Sequence, residues 1–231
     1  MTQTRGFVPA FLVAAGVAGA AVGGEQVVDF QKDTVGGVPK GFTLAQTGPG
    51  SAARWEIRND ASSPSGGLVL VQVSDDATRG RFPLAIYQGL PFADGAVSVR
   101  FKTISGEIDQ AAGLVWRFRD PDNYYIARAN ALEENVVLYK VENGKRFDLK
   151  PIGAGWFAYG EKTNVAKGHW QELRVEFAAT RFRVFLDGKP LFEVEDDTFA
   201  EPGQVGLWTK ADSVTAFDGL RIEPREVSPP R

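Results

Sequence analysis

Between Ala111 and Lys145 the chain alternates three strand-like runs with two short polar turns, a pattern that points to an antiparallel sheet. The runs are A-A-G-L-V-W-R-F-R, Y-Y-I-A-R-A-N and N-V-V-L-Y-K-V-E, separated by D-P-D-N and A-L-E-E and closed by N-G-K. If each four-residue turn closes a hairpin, loop length fixes the register. Across Asp120–Asn123 it pairs Arg119 with Tyr124, Phe118 with Tyr125 and Arg117 with Ile126. Across Ala131–Glu134 it pairs Asn130 with Asn135, Arg128 with Val137 and Ile126 with Tyr139. Side chains alternate along a strand, so Leu114, Trp116, Phe118, Val136 and Leu138 share a core face. Arg117, Tyr124, Arg128, Asn130, Asn135 and Tyr139 share the other, where arginine, amide and phenol together form a surface suited to a polar ligand. A slip of one residue in either turn exchanges the two faces.

The rest of the chain extends this pattern. Short strands are expected at Ala53–Arg58, Leu68–Val73, Leu84–Tyr87 and Gly95–Ile104, after a loop-rich entry over Glu25–Gly50. Asn143-Gly144 and Asp187-Gly188 are strong two-residue hairpin signals. Gln171–Phe177, Arg181–Leu186, Pro190–Val194, Gly203–Lys210 and Ser213–Ile222 complete the set, with a long glycine-rich connection over Pro151–Gly168. With no amphipathic helix, no fixed repeat and no mid-chain linker, the chain reads as one all-β domain over residues 25–224, with a loose tail at 225–231. Arg5 followed by the apolar run Phe7–Val22 and by Ala18-Gly19-Ala20 reads as a signal peptide over residues 1–24, cleaved near 20–24. The run is shorter than the ~20 residues that span a bilayer comfortably; the alternative is an uncleaved anchor helix. The expected location is therefore secreted or periplasmic, with no membrane contact after cleavage. The chain has no cysteine, which excludes disulfides, thiolate metal sites and thiol nucleophiles. A net charge of −3 gives no basic footprint for nucleic acid.

Several segments carry a family resemblance. They are A-G-L-V-W-R-F-R-D-P-D-N-Y-Y at Ala112–Tyr125, H-W-Q-E-L-R-V-E-F at His169–Phe177, F-R-V-F-L-D-G-K at Phe182–Lys189, G-Q-V-G-L-W-T-K at Gly203–Lys210 and F-D-G-L at Phe217–Leu220. Together with the entry G-G-V-P-K-G-F they resemble the concanavalin A-like jelly-roll superfamily, in the branch of laminin-G-like and family-16-glycosidase-like domains. The most similar group is the domain of unknown function 1080 family, also called 3-keto-disaccharide hydrolase domains; G-L-V-W-R stands where its better-known members carry an N-S-G-I-type segment. The resemblance implies an antiparallel two-sheet jelly roll with a concave sheet facing carbohydrate. It also implies a carbohydrate or small glycoside as partner and, for an enzyme, hydrolysis of a 3-keto-glycoside. The alternative it leaves is a non-catalytic laminin-G-like module that binds protein or polysaccharide.

Candidate chemistry is sparse. Glu133 and Glu134 lie in the second central turn, where one can act as general base at the rim of the polar face; the alternative is a pair of solvated turn carboxylates. Gly106-Glu107-Ile108-Asp109 begins like a family-16 glycosidase motif, but alanines occupy the positions of its second glutamate, and the acid/base pair of a retaining glycosidase is missing. In W-T-K-A-D-S, Trp208 can stack on a sugar ring while Lys210 and Asp212 bind hydroxyls; the alternative is a core tryptophan beside a turn. Jelly rolls of this superfamily often carry one calcium, and oxygen ligands suit that ion. Asp29 and Asp218 can contribute to such a site if the two ends of the domain are adjacent. A chain whose single histidine is His169 cannot build a histidine-rich zinc site.

Overall fold

The computed structural model describes residues 24–225, and among them there are strands and turns but no helix. The strands are β1 (Gln26–Val28), β2 (Phe42–Thr47), β3 (Trp55–Asn59), β4 (Leu68–Gln72), β5 (Phe82–Phe92), β6 (Asp94–Ser105), β7 (Ala111–Asp120) and β8 (Asn123–Asn130). They continue as β9 (Asn135–Glu142), β10 (Lys145–Asp148), β11 (Glu161–Lys162), β12 (Gln171–Ala178), β13 (Arg181–Leu186), β14 (Lys189–Glu195), β15 (Gly203–Trp208) and β16 (Val214–Arg225). One antiparallel sheet runs β14-β13-β12-β6-β16-β4-β3, with β1 on β16; the other runs β10-β9-β8-β7-β15-β5-β2, with β11 on β9. This is the expected jelly-roll sandwich. The expected signal segment lies outside the described residues apart from Gly24, as does the tail from 226 onward; Arg225 still belongs to β16.

Alternation along the strands builds the core. Leu114, Trp116, Ala127, Ala129, Val136 and Leu138 from the second sheet face Val97, Val99, Phe101, Leu173, Val175 and Phe217 from the first. Each leucine, valine or phenylalanine among them taken out of water contributes roughly 1.5–3 kcal/mol. The two-residue turns form as expected. Asn143 (φ 51°) and Gly144 (φ 74°) join β9 to β10, and Asp187 (φ 50°) and Gly188 (φ 73°) join β13 to β14. Both central positions are left-handed, which matches the twist of the flanking strands. Strand β2 falls in what reads from sequence as a loop-rich entry.

The two central hairpins depart from each other in register. Between β8 and β9 the expected pairs form, Asn130 with Asn135, Arg128 with Val137 and Ile126 with Tyr139. Between β7 and β8 the turn end is as expected, Asp120 opposite Asn123, but Trp116 then meets Tyr125 because β7 bulges between them. Arg117 sits in that bulge at φ 47°. The bulge turns Arg117 off the polar face, and Phe118 turns out to pack near Tyr124 instead of into the core. The residue that accommodates the bulge is distant in sequence. Gly203 of β15 lies so close to β7 that a Cβ there would stand 2.4 Å from the Arg117 carbonyl carbon.

The face of the second sheet turned away from the core is strongly concave. β10 and β5 are five strand spacings apart, about 24 Å on a flat sheet, yet the Arg146 guanidinium lies 5.0 Å from the Phe82 ring centre and 4.3 Å from that of Tyr139. Thr47 of β2 likewise reaches the Tyr124 hydroxyl at 2.8 Å. The trough is therefore filled by its own side chains: Phe82, Val115, Tyr124, Ile126, Tyr139 and Trp208 are all buried in it.

Burial raises the phenols of Tyr124, Tyr125 and Tyr139 above their usual range, and for Tyr125 the hydrogen bond to Asp196 adds to the shift. A folded-state pKa above the unfolded value stabilises the fold below about pH 10 and loses that stabilisation as pH rises toward the folded value. Phenolate absorbance from these three residues is therefore expected to appear together with loss of far-ultraviolet dichroism. Ionisation of all three in the still-folded chain would contradict their burial.

Candidate functional site

At one end of the trough the polar residues converge. Arg128 of β8 is fully buried, and its guanidinium grips Glu133 through two hydrogen bonds, Nη1 to Oε1 at 2.9 Å and Nη2 to Oε2 at 3.0 Å. Nη2 also donates to Asn135 Oδ1 at 2.6 Å. Asn130 Nδ2 bridges two carboxylates, donating to Asp109 at 2.8 Å and to Glu133 at 3.2 Å, while its Oδ1 accepts from the Leu132 and Glu133 amides of the turn. Lys210 Nζ lies 2.9 Å from Asp109 and 3.9 Å from Glu133. Two cations and two carboxylates thus share one network. Burial works to raise the Glu133 carboxyl, but the hydrogen bonds and charge of Arg128, helped by Lys210 and Asn135, hold it below the ordinary carboxylate range. It is ionised at neutral pH.

Two buried groups hold this network in place. Asp212, in the turn after β15, accepts three backbone hydrogen bonds from the loop before β7: Glu107 N at 2.6 Å, Ile108 N at 2.9 Å and Asp109 N at 2.9 Å. Asp109 is thereby carried to Asn130 and Lys210. Arg81, fully buried, donates to the carbonyls of Ser51 at 2.9 Å, Ala52 at 3.5 Å and Ala211 at 2.9 Å, fixing the turn that presents Lys210.

The connection after β10 closes over the same end. Glu161–Lys162 adds to β9 opposite Val136 and Asn135. Gly160 (φ 61°) approaches so tightly that a Cβ would lie 2.1 Å from the Val136 carbonyl. The Tyr159 and Tyr139 hydroxyls are hydrogen-bonded, and the Tyr159 ring lies 5.9 Å from the Arg128 guanidinium. What remains is an open hollow lined by Leu132, Glu133, Glu134, Asn135 and the segment Tyr159–Lys162. Glu133 stands between this hollow and the buried network. Around that network Asp109 Oδ2, Arg128 Nε and Arg146 Nη1 are buried with no hydrogen-bond partner among the described residues, and buried polar atoms normally have one, from protein, water or ligand.

Residues 41–223 match the model of a family described as the 3-keto-alpha-glucoside-1,2-lyase-like domain. The chain belongs to that family. Among solved structures, this lyase-like domain is similar to a carbohydrate-binding module, CBM66, from Bacillus subtilis, at 22% identity and a TM-score of 0.55, over 73% of this chain and 95% of that one. It is also similar to a protein of unknown function from Shewanella oneidensis, at 15% identity and a TM-score of 0.53, over 88% and 89%. At these identities the likeness shows the jelly-roll fold alone. Comparison with curated proteins gives no match.

In this lyase-like domain the residues expected from sequence separate into groups. Arg128, Asn130, Asn135, Tyr139 and Lys210 come together, with Glu133 as their carboxylate and Glu134 (φ 49°) on the wall of the hollow. Tyr124 shares the concave face but is spent on Thr47 in the apolar stretch. Trp208 is fully buried with Phe82 stacked on its ring at 5.2 Å, so the stacking partner expected to be a sugar is a side chain. Asp212 binds backbone amides where a sugar hydroxyl was expected. Arg117 is at the opposite end of the sandwich altogether. The ends of the domain are adjacent through β1 and β16, but Asp29 caps the Gln31 amide, while Asp218 accepts from Ser63 and Ser65 and lies 3.4 Å from Arg100. A cation beside Asp218 would meet that guanidinium, and among the described residues no group of three or more His, Asp or Glu is arranged to hold a metal. Sequence reasoning passed over Asp109 and Arg146. Asp109 stood in the acidic turn already singled out, and alternation along β10 places Arg146 opposite Val141 on the concave face.

Proposed function

We propose that this domain binds a small glycoside in the hollow at Glu133, with the nonreducing sugar as a 3-keto-glucoside. The observation that carries the reading is a cluster of charged side chains, each with one buried atom that has no hydrogen-bond partner among the described residues, Asp109 Oδ2, Arg128 Nε and Arg146 Nη1, near a carboxylate that faces an open hollow. Hydroxyls and a ketone of a sugar are the complementary donors and acceptors. The segment Tyr159–Lys162 closes one side, which favours a small ligand over a polymer. Family membership points to the same substrate class.

The paired carboxylates favour an enzyme over a binding module. A ketone at C3 acidifies the proton on C2. An ionised carboxylate that takes this proton lets the electron pair form the C1–C2 double bond as the C1–oxygen bond breaks, and the departing alkoxide takes a proton from water. Glu133 has the protonation state and the access for that step. Glu133→Gln is therefore expected to slow release of aglycone from methyl 3-keto-glucoside by about 10²–10⁴-fold, the range for a lost general base. Unchanged release would remove Glu133 from the chemistry, and failure of the unsubstituted chain to bind any glycoside would overturn the proposal as a whole.

A further inference from the structure

Five of the large hydrophobic side chains exposed among the described residues crowd into one stretch of the chain: Phe147, Ile152, Trp156, Phe157 and Tyr159. Trp156 is 86% exposed and Phe157 77%, and the two rings meet edge to face, their centres 6.0 Å apart. Contiguous exposed apolar surface, as opposed to singly scattered side chains, marks interaction sites or ligand-binding grooves. Their position argues for which ligand. Tyr159 and Gly160 line the hollow, and Trp156 lies three residues before Tyr159 in the same loop. The loop's own ties are few. Ile152 N donates to the Glu193 carbonyl, Ala154 N and Ala158 N close two tight turns, and Lys150 Nζ holds the Ala158 carbonyl. Gly153 (φ 80°) and Gly155 precede the rings, where such positions absorb backbone rotation at little steric cost, while Gly160, packed against the Val136 carbonyl, anchors the far end.

The hollow meanwhile offers a pyranose ring little aromatic surface, Tyr159 being the aromatic residue in its lining. Its lining is dominated by carboxylates, an amide and a lysine, with Leu132 and Tyr159 as its large apolar members. Sugars present an apolar C–H face as well as hydroxyls, and sites for them combine aromatic surface with a few directed polar groups. We infer that Trp156, backed by Phe157, is the stacking platform of this site, carried on a glycine-hinged lid that closes over the sugar once the polar network behind Glu133 has engaged it. This rests on the glycoside reading above and adds to it the residue that selects a pyranose ring. The lid also buries its two aromatic rings on closing, so ligand binding and lid ordering are one event.

The test is carried out on the full chain with methyl 3-keto-glucoside, comparing the unsubstituted protein with Trp156→Ala and Trp156→Phe. Stacking that is equal in ground and transition states raises KM and leaves kcat alone. The expected result is a rise in KM of about tenfold in Trp156→Ala, the scale of one aromatic contact, with most of it recovered in Trp156→Phe. In a chain that binds without turnover the same ratio is read from dissociation constants by calorimetry. Equal constants in the three proteins would overturn the lid and leave the Glu133 site standing. A monomer in Trp156→Ala where the unsubstituted chain self-associates, at unchanged affinity, would reassign the rings to an interface between copies. Absence of both binding and turnover in the unsubstituted chain would overturn lid and site together.

Discussion

Replacing Arg117 by alanine is expected to destabilise the fold by about 3–5 kcal/mol, the scale for breaking a buried, hydrogen-bonded charge. The guanidinium is 1% exposed and ties three separate turns together. Nε donates to the Ala93 carbonyl at 3.0 Å, Nη1 to that of Phe199 at 2.8 Å and Nη2 to that of Ala179 at 2.7 Å, with Asp94 Oδ1 at 3.3 Å from Nη2. Truncation leaves buried carbonyls and the Asp94 carboxylate short of partners at once. Lysine does not restore them, because one ammonium cannot spread over three diverging carbonyls as a planar fork does. Urea midpoints for Arg117→Ala and Arg117→Lys are thus expected to fall together, and the melting temperature to drop by roughly 6–20 °C for a domain of this size. Glycoside binding at temperatures where the variant remains folded should be unchanged, since the contacts of Arg117 are with other turns than those of the hollow. A loss of under about 1 kcal/mol would show that the turns hold without it.

Asp212→Ala is expected to act on stability and site together. The carboxylate accepts from the amides of Glu107, Ile108 and Asp109, and without it three donors lose their partner and Asp109 is no longer delivered to Asn130 and Lys210. A loss of roughly 2–4 kcal/mol is the scale for such a group, with glycoside affinity falling in parallel. Asparagine, though isosteric, should rescue little, because its NH2 would face N–H donors where the second oxygen was. The pH dependence checks the assignment. Burial works to raise the Asp212 carboxyl, but the three amides hold it below the usual range. A depressed folded value stabilises the fold above about pH 4 and loses that contribution as pH falls through the folded pKa. The acid limb of the stability curve should therefore be shallower in Asp212→Ala. Equal acid limbs in the two proteins would place the stabilisation elsewhere.

The sequence made some of this visible, for local reasons. The hairpin Asn130–Asn135 came out in the expected register because its turn and both flanking strands are continuous and regular. The alternation that puts Leu114 and Trp116 inside while Arg128 and Asn130 face outward is likewise a property of a few neighbouring residues. What escaped was set at long range. The bulge that removes Arg117 from the polar face packs closely against Gly203, a contact that turn length does not encode. The burial of Trp208 follows from curvature, which brings strands five spacings apart into contact through Arg146 and Phe82. A flat reading of the concave face therefore overstates the surface offered to a ligand and concentrates the remaining opportunity at Glu133.

The fully buried Arg81 has a wider meaning in a chain without cysteine. It draws together Ser51 and Ala52 near the start of the domain and Ala211 near its end, a span that small domains commonly close with a disulfide. A guanidinium clasp closes the same circuit without a covalent bond. It forms only when all three carbonyls are already in place, so it cannot be trapped in a wrong pairing, and it asks for neither oxidant nor isomerase. Folding of this chain accordingly requires no disulfide to form, whatever the redox poise of its surroundings.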